Sequence, residues 1–174
     1  SIIDANAKTI NEAEDGQTQY RLTGYISKVA NTTYGNIYIT DATGEVYVYG
    51  VLNNGKSKEW AKLGINEGDI VTVVGPKTSY NGAPQMKNVE VEDFKAVKDI
   101  TTAEFLTKSD DANTYYRMTG TIEGLKDGDL YGNFNIVDAT GSAYVYGLLS
   151  GWGGPKKMFQ ELGLKNGDKV TIVG

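Results

Sequence analysis

The sequence predicts an all-β protein that contains two consecutive copies of one five-stranded domain. Three observations lead to this prediction: a long internal repeat, short runs of alternating apolar and polar residues, and frequent glycine and tyrosine. The chain of 174 residues contains 22 Gly and 12 Tyr. Glycine is typical of tight turns and tyrosine of strands. With 40% hydrophobic and 22% charged residues, the composition is that of a globular protein.

The internal repeat has the period of a domain, because its members lie too far apart for a solenoid. The segment YRLTGYI at 20–26 returns as YRMTGTI at 116–122. The shorter repeated strings are DATG at 41–44 and 138–141, YVYG at 47–50 and 144–147, and Gly-Asp at 68–69 and 167–168. The repeat predicts a first domain over 1–92, a linker over 93–100 and a second domain over 101–174.

Alternation and turn residues predict the elements of the first copy. The predicted strands are 19–31, 36–41, 45–51, 70–74 and 84–91, with a short helix over 56–63 between the third and fourth strands. Gly24 lies in the middle of the first strand, where glycine is typical of a bulge or a sharp bend. Asn81-Gly82 predicts the hairpin between the last two strands.

The second copy repeats these elements less completely. A helix over 103–108 is expected before its first strand, with Thr101 or Thr102 as the N-cap. Nothing after Gly174 corresponds to the last strand of the first copy, so the second domain is expected to lack that strand in this sequence. Truncation or disorder is the simpler interpretation, and completion by a strand of another chain is the alternative.

These residues carry a resemblance to a known family. The strand order with its helix, the glycines at 24 and 120, the Asp-x-Thr-Gly turns and the Gly-Asp before strand four resemble the OB-fold family. The likeness is to the nucleic-acid-binding type found in bacterial cell-envelope proteins and lipoproteins. It implies two five-stranded OB-type barrels, each with a ligand face on strands two and three and the 1–2 and 4–5 loops at its edges.

Residue types restrict the chemistry. The chain has no Cys and no His, which excludes Ser-His-Asp and Cys-His catalysis and the usual zinc sites. The repeated aspartates at 41 and 138 fit turn chemistry. The expectation is a binding protein that is not an enzyme and needs no cofactor or metal. No apolar run reaches the ~20 residues of a membrane-spanning helix. The start, SIID, lacks a leader, which suggests a mature fragment of an envelope or secreted protein, with the cytoplasm still open.

Outward-facing tyrosines are the main candidates for ligand contact, because bases and sugar rings both stack on aromatic faces. Cross-strand tyrosine pairs also stabilise sheets without a ligand, which is the competing interpretation. Basic residues and a glycine-flanked tryptophan complete the candidate set. The set comprises Tyr25, Tyr38, Tyr47, Tyr49, Lys77, Tyr80, Arg117, Tyr144, Tyr146 and Trp152.

Three kinds of partner remain open at this stage. Single-stranded nucleic acid follows from the resemblance, but the net charge of −5 counts against strong phosphate binding. A glycan could use the same tyrosines. Another protein is the third possibility, with the chain as a structural or interaction domain of a bacterial surface protein. Arg117 and its repeat partner Arg21 could contact phosphate or form surface ion pairs.

Overall fold

The computed structural model describes residues 1–174 and is mostly β. The chain divides into two compact units, Ser1–Ala96 and Val97–Gly174. The boundary between them lies inside the segment 93–100 that the repeat marks as a linker. Each unit has its own sheet and its own hydrophobic core. None of the helices combines the length and the apolar character needed to span a lipid bilayer.

The first unit contains six strands and two short helices. In chain order they are β1 (Ile2–Asp4), α1 (Ala7–Glu12), β2 (Gln19–Asn31), β3 (Asn36–Asp41), β4 (Gly44–Leu52), α2 (Trp60–Leu63), β5 (Ile70–Tyr80) and β6 (Ala83–Lys95). The last two strands are longer than their apolar patterns predict. They form a continuous antiparallel hairpin around Asn81 and Gly82, which both have positive φ, as a tight two-residue turn requires.

Five strands of the first unit close into a barrel. The order is β2-β3-β4-β6-β5, and β5 pairs again with β2 to complete the ring. All neighbours are antiparallel except β4 and β6, which are parallel. The short β1 adds to β2 in parallel outside this ring. Inside lie the residues of the predicted apolar parity, among them Leu22, Ile26, Ile37, Ile39, Val46 and Val48, all buried.

The second unit contains five strands, one short helix and one 3₁₀ turn. They are β7 (Val97–Asp99), α3 (Thr102–Phe105), β8 (Tyr115–Glu123), β9 (Phe134–Asp138), β10 (Gly141–Val145), the turn Phe159–Leu162 and β11 (Lys169–Val173). Thr101 is the N-cap of α3, since its side chain accepts a hydrogen bond from the amide of Glu104. The helix ends earlier than the predicted 108.

The sheet of the second unit is open. Its order is β10-β9-β8-β11, with β7 pairing β8. No strand of residues 97–174 occupies the place that β6 has between β4 and β5. Val145, Val170 and Ile172 therefore pack against the core but stay partly exposed. Phe134, Ile136 and Phe159 form the fully buried centre.

The Asp-x-Thr-Gly turn of the first unit holds the helix α1. Asp41 Oδ2 accepts a hydrogen bond from the backbone amide of Ala7 at 2.8 Å, and Thr43 Oγ1 accepts one from the amide of Lys8 at 3.0 Å. The other carboxylate oxygen accepts from the amide and hydroxyl of Thr43 within the turn. The first amides of a helix have no partner inside it, so the turn supplies one.

The same turn in the second unit makes an equivalent set of bonds. Asp138 accepts hydrogen bonds from the Thr140 hydroxyl and amide and from the Thr102 amide and hydroxyl. These hydrogen bonds hold the pKa of the Asp138 carboxyl well below its ordinary value, with the largest effect from the Thr140 hydroxyl and the next from the Thr102 amide. The recurrence of this aspartate is thus accounted for by its contacts with the helix.

Gly24 allows β2 and β3 to approach each other closely, and it does not mark the expected bulge. A Cβ at this position would lie 2.5 Å from the carbonyl oxygen of Thr40 on β3. The irregular register between β2 and β3 comes later, between Ile26 and Lys28 and between Val29 and Asn31. Gly120 stands in the same relation to the carbonyl oxygen of Val137 in the second unit.

The helix between strands β4 and β5 is shorter than the predicted 56–63. It begins at Trp60, because the preceding segment folds back on itself first. Asn53 and Lys56 exchange backbone hydrogen bonds of 2.9 and 3.0 Å, and Lys58 has φ +60°, which is outside the helical region. Trp60 itself is buried in the core of the first unit.

Candidate ligand-binding face

Alternation along β3 and β4 places Tyr38, Tyr47 and Tyr49 on the outside of the first barrel, and we call these three residues the tyrosine face. Tyr38 and Tyr47 are direct cross-strand partners. The neighbouring strands contribute a lysine on each side. Lys28 on β2 pairs with Tyr38, and Lys87 on β6 pairs with Tyr49. The tyrosine face and the two lysines together span four strands, with the tyrosines in the middle.

The rings of the tyrosine face differ in exposure. Tyr38 and Tyr47 pack against each other with ring centroids 5.0 Å apart and planes tilted by 47°. Tyr49 is more open, with 45% of its surface exposed. Partial burial, and then the neighbouring Tyr38 and Tyr49, raise the pKa of the Tyr47 phenol. Tyr38 and Tyr47 therefore form a packed pair of rings, and Tyr49 offers an open ring beside them.

Two lysines lie beside this face, although the chain carries −5 overall. Neither Lys28 nor Lys87 takes part in an ion pair. The Lys28 ammonium lies 5.9 Å from the centroid of the Tyr38 ring, within cation–π range. The nearby carboxylate of Glu45 accepts hydrogen bonds from Ser27 and Thr40 on the adjacent strands. Two ammonium groups are therefore available to an anionic ligand.

Two further candidate tyrosines lie elsewhere on the first barrel. Tyr25 is exposed on β2, where its register partners are Thr40 and Ile70. Tyr80 is 69% exposed at the end of β5, immediately before the Asn81-Gly82 turn. Tyr80 therefore lies next to the turn between the last two barrel strands, which is the loop that the resemblance assigns to the edge of a ligand face.

The structure places the two basic candidates in ion pairs. The Lys77 ammonium lies 2.7 Å from the Asp15 carboxylate, and its side chain is only 8% exposed. The hydrogen bonds from Lys77 and then Ser79 lower the pKa of Asp15. Arg117 donates to Asp99 at 3.1 Å. Its repeat partner Arg21 donates to Asp4 and Glu92. All three cations have carboxylate partners within the protein.

The second unit presents Tyr144 and Tyr146, which we call the second tyrosine pair. Their exposed fractions are 60% and 86%, and their rings meet edge to face at 6.5 Å. Tyr144 is the register partner of Asn135 on β9. Gly124 takes the place of Lys28 in the repeat, and no cation lies over either ring. The exposed Glu123 on β8 is the register partner of Asn135, so the charge beside this aromatic surface is a carboxylate.

Trp152 lies against the first strand of its own unit. Its ring centroid is 5.7 Å from that of Tyr115 at the start of β8, and the residue is only partly exposed. The tryptophan therefore packs back onto its own unit.

Neither protein-family models nor curated proteins match this chain. The function is therefore inferred from the residues and their geometry. The arrangement can hold planar rings by stacking and, in the first unit, an anionic group beside them.

Each unit also has one lysine–tyrosine contact that the sequence analysis did not predict. Lys58 lies over the ring of Tyr34 at 5.8 Å, and Lys157 lies over the ring of Tyr131 at 5.7 Å. The repeated Tyr-Gly-Asn string pointed to the tyrosines. The lysines are harder to find, because they stand in loops whose sequences differ between the copies.

Proposed function

We propose that the chain is a non-catalytic binding module in which both units are of the OB type. The closed barrel supports this for the first unit. Its strands follow the ring order first, second, third, fifth, fourth, with a parallel third–fifth pair and a helix between the third and fourth. A five-stranded barrel that uses its second and third strands for binding is the OB pattern.

The second unit supports the same assignment through its pairings. Its first strand, β8, pairs with β9 and β11, and β9 pairs with β10, as the equivalent strands do in the first unit. The Gly-Asp turn is also tied to the first strand in the same way. The amide of Ile26 donates to the Asp69 carbonyl and that of Ile122 to the Asp168 carbonyl, both at 2.9 Å.

The ligand that this geometry favours is single-stranded nucleic acid, bound on the tyrosine face. One observation carries the proposal: Tyr38, Tyr47 and Tyr49 lie between Lys28 and Lys87, and neither ammonium has a carboxylate partner. Unstacked bases pack on aromatic rings while the flanking cations meet the phosphates. These two lysines give the surface cationic groups for phosphates, although the chain carries −5 overall.

A titration of a fluorescent thymidine oligonucleotide of about 30 nucleotides, long enough for two units, tests the proposal. Replacing Tyr47 and Tyr49 together by alanine removes stacking worth about 1–3 kcal/mol per base, so affinity should fall at least about fivefold. Phe94→Ala is the matched control, because it removes an exposed aromatic ring of the same unit that is not in the candidate set. Equal affinity of the wild type and the double variant would remove the tyrosine face from consideration.

A glycan is the second candidate, and the second unit favours it. The second tyrosine pair is highly exposed, has no cation over it, and has Asn135 and the Glu123 carboxylate beside Tyr144 as hydrogen-bonding groups. Aromatic rings next to amide and carboxylate oxygens suit sugar rings and their hydroxyls, whereas a carboxylate disfavours phosphate. Salt separates the two ligands, since affinity for a nucleic acid falls steeply with ionic strength and affinity for a neutral glycan does not. Tyr144→Ala with Tyr146→Ala should then weaken glycan binding only.

A further inference from the structure

Backbone strain singles out one lysine in each unit. Twenty residues have positive φ; fifteen are glycines and three are asparagines, the residue types that tolerate this region. The remaining two are Lys58, with φ +60°, and Lys157, with φ +66°. They precede Trp60 and Phe159, the buried aromatic residues of equivalent loops. A lysine in this region is unfavourable compared with glycine, and such strain concentrates at functional sites.

The tyrosine beneath each lysine is held in place by the same contacts. The carbonyl oxygen of Tyr34 accepts a hydrogen bond from the amide of Val51, and that of Tyr131 from the amide of Leu148, both at 2.9 Å. The next residue in each case is a glycine packed closely on the aromatic ring of the loop. The backbone that carries each tyrosine is therefore held by its own unit.

Both lysines are exposed and neither forms an ion pair. Each ammonium lies within 6 Å of a tyrosine ring that is itself about two-fifths exposed: 40% for Tyr34 and 44% for Tyr131. A cation over an open ring can pair with an anionic oxygen while the ring contacts the group attached to it. Stability alone favours glycine at these two positions, so the lysine side chains need another explanation.

We propose that Lys58 with Tyr34 and Lys157 with Tyr131 form two equivalent phosphate subsites, one in each unit. This inference rests on the proposed binding of single-stranded nucleic acid and adds contacts outside the tyrosine face. Tyr34 lies two residues before β3 and Lys58 two residues before α2, so each subsite joins two loops at the end of the sheet. The second unit, whose tyrosine pair has no cation, thereby gains a phosphate contact of its own.

The test measures how the affinity for the same thymidine oligonucleotide changes with salt concentration. Each phosphate contact with a single strand contributes about 0.7 to the slope of log affinity against log salt, so Lys58→Asn with Lys157→Asn should lower it by about 1.4. Asparagine tolerates the left-handed backbone, and the urea midpoint should therefore not fall. Lys58→Arg with Lys157→Arg keeps both charges and should restore the slope.

The matched control replaces Lys8 and Lys108 by asparagine, which removes the same charge from exposed positions elsewhere in the two units. A slope equal to that of the wild type in the Lys58 and Lys157 variant would overturn the subsites and leave the tyrosine face in place. An equal loss in the control would also overturn them, because the effect would then be one of total charge. Failure of the wild type to bind the oligonucleotide would reject the proposed function together with the subsites.

Discussion

The close approach of β2 to β3 at Gly24 makes the replacement Gly24→Ala a sensitive probe of the first barrel. The added Cβ would lie 2.5 Å from the Thr40 carbonyl oxygen and 2.9 Å from the Ile39 Cγ2 atom. A relaxed C···O contact is about 3.3 Å, so the strands would have to separate by roughly 0.8 Å. The obstructing atom belongs to the backbone of a closed ring and has little room to move.

Overpacking of a well-packed site costs about 1–3 kcal/mol, and we expect the upper end, about 3 kcal/mol, for Gly24→Ala. With a urea slope of about 2 kcal/mol/M, the unfolding midpoint of the first unit should fall by about 1.5 M. Trp60 is buried in this unit and reports its unfolding by fluorescence. The background variant Trp152→Phe removes the signal of the second unit, since the chain has two tryptophans.

Two companion variants make the measurement specific. At Gly16 an added Cβ meets nothing within 4 Å, so Gly16→Ala should change the free energy of unfolding by no more than about 0.5 kcal/mol. In Gly120→Ala the added Cβ would lie 2.5 Å from the Val137 carbonyl oxygen, but in an open sheet. We expect a smaller loss in the free energy of unfolding, about 1–2 kcal/mol, because β10 has an unpaired edge. If Gly24→Ala unfolds at the same urea concentration as Gly16→Ala, the reasoning from strand approach is wrong.

Two further predictions concern acid stability and the role of a buried cation. Hydrogen bonds to the Asp138 carboxylate, the strongest of them from the Thr140 hydroxyl, keep its folded pKa below its unfolded value. The ionised carboxylate therefore stabilises the folded state fully above about pH 4, and this contribution is lost as the pH falls through the folded pKa. Asp138→Asn should therefore flatten the acid limb of the stability curve measured by circular dichroism; identical curves for variant and wild type would contradict this. Lys77→Met should leave oligonucleotide affinity within about twofold, because its ammonium is bound to Asp15, whereas Lys87→Met should reduce the salt slope by about 0.7. A larger effect of Lys77 than of Lys87 would show that the ion pair opens to the ligand.

The candidate residues show how far strand alternation reaches. Parity alone predicts that Tyr38, Tyr47 and Tyr49 face outward, because successive side chains of a strand point to opposite faces. It cannot give the partners of Lys77, since Asp15 lies on a distant part of the chain and meets it only in the folded barrel. The single-stranded nucleic acid ligand and the bacterial envelope location stay predictions.

By itself, the sequence determined the all-β class, the internal repeat, the bounds of the first three barrel strands to within one residue and the inward or outward parity along them, because these depend on local periodicity and on turn residues. Only the tertiary structure decided which residues meet across the sheet. Closure of the first barrel through β6, the two cations beside the tyrosine face and the strained Lys58 and Lys157 over their rings all depend on pairings between distant segments. Such pairings are set by packing of the whole core, and no short stretch of sequence encodes them.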